Sequence, residues 1–187
     1  MWDFKLNECL KTFNFTCLVN CVKKAPGNKL ICGFSDGTIQ ILDIESGECL
    51  KTINEHLDYV QGILLVSNDK LVTCSHDFTI KLFDLNSYEC IRTFDGHVEA
   101  VRGIYKISDE KIVICSRYHT IRIWNLNSGE CLKILRGHTD TVSSITVTSD
   151  EKIISGSYEK IKVWNIEYGV CLQTINVGHT HFIKSII

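Results

Sequence analysis

The chain has 187 residues, 44% hydrophobic and 22% charged, with a formal net charge of -2. That is the balance of a packed globular protein, and it excludes a whole-molecule field that would draw in nucleic acid or an anionic membrane. No apolar run approaches the roughly 18 residues that span a bilayer. The opening Met1-Trp2-Asp3-Phe4-Lys5 lacks the basic-then-apolar order of a secretory signal, so a cytoplasmic location is expected, with the nucleus also open.

Taken in chain order, residues 1–13 read as the end of one strand followed by another. The unit 14–53 holds strands at Lys29 to Cys32, Thr38 to Leu42 and Glu48 to Ile53, and the unit 54–94 repeats the pattern. In the unit 95–135 a strand runs from Val101 to Ile107, and Ser108-Asp109-Glu110 turns the chain. Further strands follow at Lys111 to Cys115, Thr120 to Trp124 and Glu130 to Leu135. The unit 136–176 has Lys152 to Ser155, Ile161 to Trp164 and Val170 to Ile175, and residues 177–187 read as a lone first strand. All these runs alternate with period two, carry β-branched residues and end at turn residues. Four antiparallel strands make one small sheet. Stacked radially, such sheets give an all-β partial propeller.

The period is strict. Cys-Leu or Cys-Ile recurs at Cys9, Cys49, Cys90, Cys131 and Cys171, spaced 40, 41, 41 and 40 residues. A histidine recurs at His56, His97, His138 and His179, spaced 41 each time. Self-similarity at this interval marks a repeat array in which each unit buries its faces against its neighbours.

Ten cysteines would suggest disulfides or zinc if they were scattered, but most hold repeat positions. Equivalent residues of successive units lie too far apart for a disulfide. They are expected to be small buried hydrophobes in a reducing compartment. Cys17 and Cys21 have a ligand-like spacing without a second pair to complete a tetrahedral site, so no metal and no cofactor are expected. Asn14-Phe15-Thr16 matches a glycosylation sequon, which means little without a secretory route.

Gly96-His97, Gly137-His138 and Gly178-His179, with Ile123-Trp124-Asn125, Val163-Trp164-Asn165 and Phe83-Asp84, resemble the Gly-His and Trp-Asp marks of the WD-repeat family. Ser155-Gly156-Ser157-Tyr158-Glu159-Lys160-Ile161-Lys162-Val163-Trp164-Asn165 is similar to that family's third-strand signature, one residue short. The resemblance implies a propeller and a buried tetrad of His, second-strand Ser or Thr, turn Asp and third-strand Trp. Carried over, the second unit has His56, Ser75 and Asp77 with Phe83 for Trp. The third has His97 and Trp124 with Tyr118 for Asp, and the fourth has His138, Ser155 and Trp164 with Glu159 for Asp. The first has Asp36, no Gly-His, and Leu42 for Trp. A His-Ser-Asp set that returns in unit after unit reads as frame rather than as a hydrolytic triad. No other residues suggest catalysis, so no enzyme is expected.

The same resemblance implies a non-catalytic scaffold that binds a partner peptide or domain through its rim loops. The corresponding residues here are Ser35, His76, Arg117 and Tyr158, with Tyr59, Thr141 and Phe182. Arg102 and Arg117 occupy positions similar to those that hold phosphate in the F-box/WD branch, the substrate receptors of ubiquitin ligases. Arginine suits that task, because its planar fork donates two parallel hydrogen bonds and keeps its charge. A phosphorylated motif is therefore an alternative ligand. A second copy of the chain, completing a ring, is a further expected partner.

Overall fold

The computed structural model describes residues 8–97, 99–178, 181 and 183, together with the backbone of residues 2 and 3. Strand β1 (Trp2–Asp3) pairs with β2 (Glu8–Cys9). Four antiparallel sheets follow, each in simple up-and-down order. The first holds β3 (Val19–Ala25), β4 (Lys29–Phe34), β5 (Ile39–Asp43) and β6 (Cys49–Ile53). In the second are β7 (Val60–Leu65), β8 (Lys70–Ser75), β9 (Ile80–Asp84) and β10 (Cys90–Phe94). The third contains β11 (Val101–Lys106), β12 (Lys111–Ser116), β13 (Ile121–Asn125) and β14 (Cys131–Leu135). The fourth contains β15 (Ser144–Val147), β16 (Lys152–Gly156), β17 (Lys160–Asn165) and β18 (Cys171–Asn176). The all-β reading holds, and the strands expected from the alternation lie within a residue or two of those observed.

First strands of successive sheets touch: β3 meets β7, β7 meets β11, and β11 meets β15. The first strands are therefore innermost and the fourth strands outermost, the radial order of a propeller. The core consists of layers between sheets. Ile31, Ile39, Ile41 and Ile53 of the first sheet pack on Val60, Leu71 and Phe83 of the second. Val72, Ile80 and Leu82 meet Ile112, Ile114 and Trp124 in the next layer, and Val113, Ile121 and Ile123 meet Ile145, Ile153 and Trp164 in the last. Gly62 permits this approach near the axis: a Cβ there would lie 2.8 Å from Cys74 Sγ and 3.0 Å from Ile104 Cγ2 of the next sheet. On the fourth sheet's outer face, Ile154 and Val163 are only half-buried, whereas their counterparts Val113 and Ile123 are buried.

The recurring Cys-Leu pair is a structural device. In β6, β10, β14 and β18 the register slips at this pair, so that Leu42 faces Cys49 while Ile41 faces Lys51, and Trp124 faces Cys131 while Ile123 faces Lys133. Such bulges twist an outer strand and spoil it as an edge for further pairing. The thiol donates to the carbonyl two residues on, as from Cys49 to Lys51 and from Cys171 to Gln173. These cysteines are half-buried or exposed, which corrects the expectation of burial; only Cys32, Cys74 and Cys115 are buried. The bulge turns the side chain outward.

Candidate protein-interaction site

The histidine-centred frame differs in every sheet. In the second, His56 Nδ1 lies 2.8 Å from Asp77 Oδ2 and its Nε2 lies 2.7 Å from Thr73 Oγ1. Thr79 donates to Asp77 Oδ1 through both its N–H and its hydroxyl. Burial works to raise the Asp77 pKa, but the bonds from His56 and Thr79 outweigh it and hold the carboxyl well below the usual range. Ser75 is not the histidine's partner. Its hydroxyl donates to Asp58 O and accepts from Asp77 N, so it shapes the loop instead. Thr73 and Ser75 share a face of β8 with period two, and in the fourth sheet Ser155 holds the place of Thr73, with Ser157 in that of Ser75. That parallel was the available signal.

In the fourth sheet, Ser155 Oγ sits 2.7 Å from His138 Nε2 and accepts from Trp164 Nε1 at 2.8 Å. Glu159 does not stand in for the turn aspartate, and His138 Nδ1 is buried without a partner among the described residues. The turn is one residue short, so Glu159 falls at the left-handed position (φ 60°) that Gly37, Phe78 and His119 hold elsewhere. In the third sheet His97 and Trp124 lie side by side, ring centroids 6.1 Å apart. Among the described residues His97 Nε2 and Trp124 Nε1 both lack a partner, because Ile114 occupies the place of Thr73. Burial pushes His97 and His138 down to about 4. The first sheet fills the same space with Phe13, Phe15, Cys32 and Leu42. These groups brace the blades.

A second set of residues faces outward at one end. The N–H groups of Ser35, His76 and Arg117 donate to the carbonyls of Leu18, Tyr59 and Ala100, so in the first three sheets the turn between second and third strands is tied to the loop that enters the sheet. Tyr59 stacks on His76 with ring centroids 5.5 Å apart. Arg102 is the extra residue of a bulge in β11: Val101 faces Ser116 and Gly103 faces Cys115. A bulge re-aims the side chain it carries, and Arg102 is half-buried with its Nε partnerless. Burial, then the charge of Arg117, lowers the Arg102 pKa, and burial followed by Arg102 lowers that of His76. Thr141 Oγ1 reaches the Arg117 carbonyl at 3.5 Å.

The structure thus brings Tyr59, His76, Arg102, Arg117 and Thr141 into one stretch across three sheets. Ser35 belongs to the first sheet's turn, and Tyr158 is half-buried in the fourth's. Phe182 lies outside the described residues. Asp58, which lies close enough to His76 to oppose the lowering of its pKa, was missed in the sequence. Among the described residues no cluster of three or more His, Cys, Asp or Glu side chains could hold a metal ion.

The family model "WD domain, G-beta repeat" matches residues 7–43, 47–84, 88–125 and 129–165. The chain belongs to the WD40 repeat family. Each match after the first begins near the outer strand of one blade and ends on the third strand of the next, so successive blades are covalently interlocked. Among solved structures, the chain is similar to the WD40 β-propeller domain of Doa1, with 26% identity and a TM-score of 0.77 over 89% of this chain. It spans only 56% of that domain. As many as 1497 solved chains match it, so the likeness carries the fold rather than one task. WD40 propellers generally serve as protein-interaction scaffolds.

Proposed function

We propose that this WD40 chain binds a protein partner through the rim stretch of Tyr59, His76, Arg102, Arg117 and Thr141, and that the bound motif is phosphorylated. The observation that carries this reading is the state of Arg102 and Arg117. They stand on one blade, one on a bulge and one on a turn, and among the described residues neither makes an ion pair. Unneutralised guanidinium groups beside a stacked aromatic pair form a surface that favours an anionic ligand with an apolar flank. Capture of a phosphopeptide by an arginine cluster is a recurrent recognition mode. Attachment to a ubiquitin ligase rests on the F-box/WD resemblance alone.

The test is an array of phosphoserine and phosphothreonine peptides with unphosphorylated copies, probed with the wild-type chain and an Arg102→Glu, Arg117→Glu double variant. Wild type is expected to retain phosphorylated peptides and the double variant to lose them, with an unchanged circular dichroism spectrum. Equal retention by both proteins would sink the proposal.

A further inference from the structure

His76 follows β8, and β8 packs against β11, the strand that carries Arg102. Its ring is held by Tyr59 at 5.5 Å, and its backbone N–H is fixed to the Tyr59 carbonyl at 3.0 Å. Its Nε2 is buried and has no hydrogen-bond partner among the described residues, as is true of Arg102 Nε. Buried nitrogens left without partners are costly unless a ligand meets them. We infer that His76 is a third, protonatable arm of the anion site, so that the site holds an anion more tightly as the pH falls.

The charges around His76 set the direction. From the neighbouring blade Arg102 and Arg117 disfavour its protonation, and from its own entry loop Asp58 favours it. Tyr59 covers one ring face, and Asp77 beside it is engaged by His56, Leu57 and Thr79. With the rim empty, burial and the two guanidinium charges keep the imidazole below its ordinary value. An anion seated between the arginines cancels their repulsion and offers an acceptor to a protonated Nε2. Proton uptake and anion binding are then linked, and each strengthens the other. Affinity is flat above the anion-bound pKa, rises as the pH falls towards the free pKa, and is flat again below it.

This inference rests on the anion reading of the rim, and the probe separates the two. Inorganic sulfate is suitable because its own charge does not change over the range. Its affinity for wild type, His76→Gln and Arg117→Gln is measured by titration between about pH 8 and about pH 5.5, and the His76 ring is followed by NMR. For wild type, sulfate is expected to bind several-fold more tightly at the acid end, with the His76 midpoint raised when sulfate is bound. His76→Gln is expected to keep a weaker, pH-independent affinity, and Arg117→Gln to weaken binding at every pH. Sulfate binding with equal affinity at both ends of the range would overturn the role of His76 and leave the anion site standing. No sulfate binding at either pH would overturn both.

Discussion

Thr73 Oγ1 lies 2.7 Å from His56 Nε2 in the second blade, and the equivalent place in the third blade belongs to Ile114, which leaves His97 Nε2 without a partner among the described residues. One hydroxyl thus separates a satisfied histidine from an orphaned one. Thr73→Ile should cost about 1–3 kcal/mol by stranding His56. Ile114→Thr should raise stability by about 1 kcal/mol, because one hydroxyl can serve both His97 and Trp124 Nε1 while β-branching is kept. Urea unfolding with unchanged m-values is the measurement, and a loss of stability in Ile114→Thr would contradict the account.

Acid should weaken the fold in a defined window. His97 and His138 are held at about 4 by burial, against about 6.5 in an unfolded chain. The unfolded state therefore binds more protons between those values, and stability falls as the pH drops through them. The His97 slope approaches about 1.4 kcal/mol per pH unit and vanishes below about pH 4. The lowered Asp77 acts in the same sense, its stabilisation being lost as the pH falls below the unfolded carboxylate value. Urea midpoints at successive pH values in wild type and His97→Gln would show the slope and its reduction.

Phe78 has a φ of 71° in a turn whose first-blade counterpart is Gly37. A bulky side chain is strained there, and Phe78 is exposed. Phe78→Gly should therefore be neutral to stabilising by about 1 kcal/mol despite the entropy that glycine adds to the unfolded chain. A marked fall in thermal midpoint would show that the ring makes contacts worth more than the strain.

The outer strands carry a clamp between blades. Arg92 reaches from β10 to the carbonyls of Asn127 and Ser128 in the next blade's turn, at 3.0 and 3.1 Å. Lys11 makes the same reach to Glu45 O. Arg92→Ala should cost about 1 kcal/mol, and it should raise hydrogen exchange first in the turn 125–129. Exchange unchanged in that turn would rule out the clamp.

The repeat spacing, the alternation and the turn residues placed nearly every strand, because those signals are local and were written four times. The frame was less legible. Ser75 looks like the tetrad serine from its neighbours, yet which of two same-face hydroxyls reaches His56 depends on how the entry loop lies over β8. Glu159 resembles an aspartate substitute until the shortened turn shifts it into a left-handed position. Arg102 could be named from its motif position, but its bulge depends on how β11 pairs with β12, and the charge it exerts on His76 acts between blades.

By itself the sequence determined the blade: the strand order, the apolar faces, and the histidines and arginines held at repeat positions. Only the tertiary structure decided which polar groups find partners and which side chains share the rim. Strand pattern is set by the alternation of side chains within one segment. Hydrogen-bond satisfaction and charge proximity depend instead on distances of a few ångströms between separate strands and loops, which no local pattern encodes.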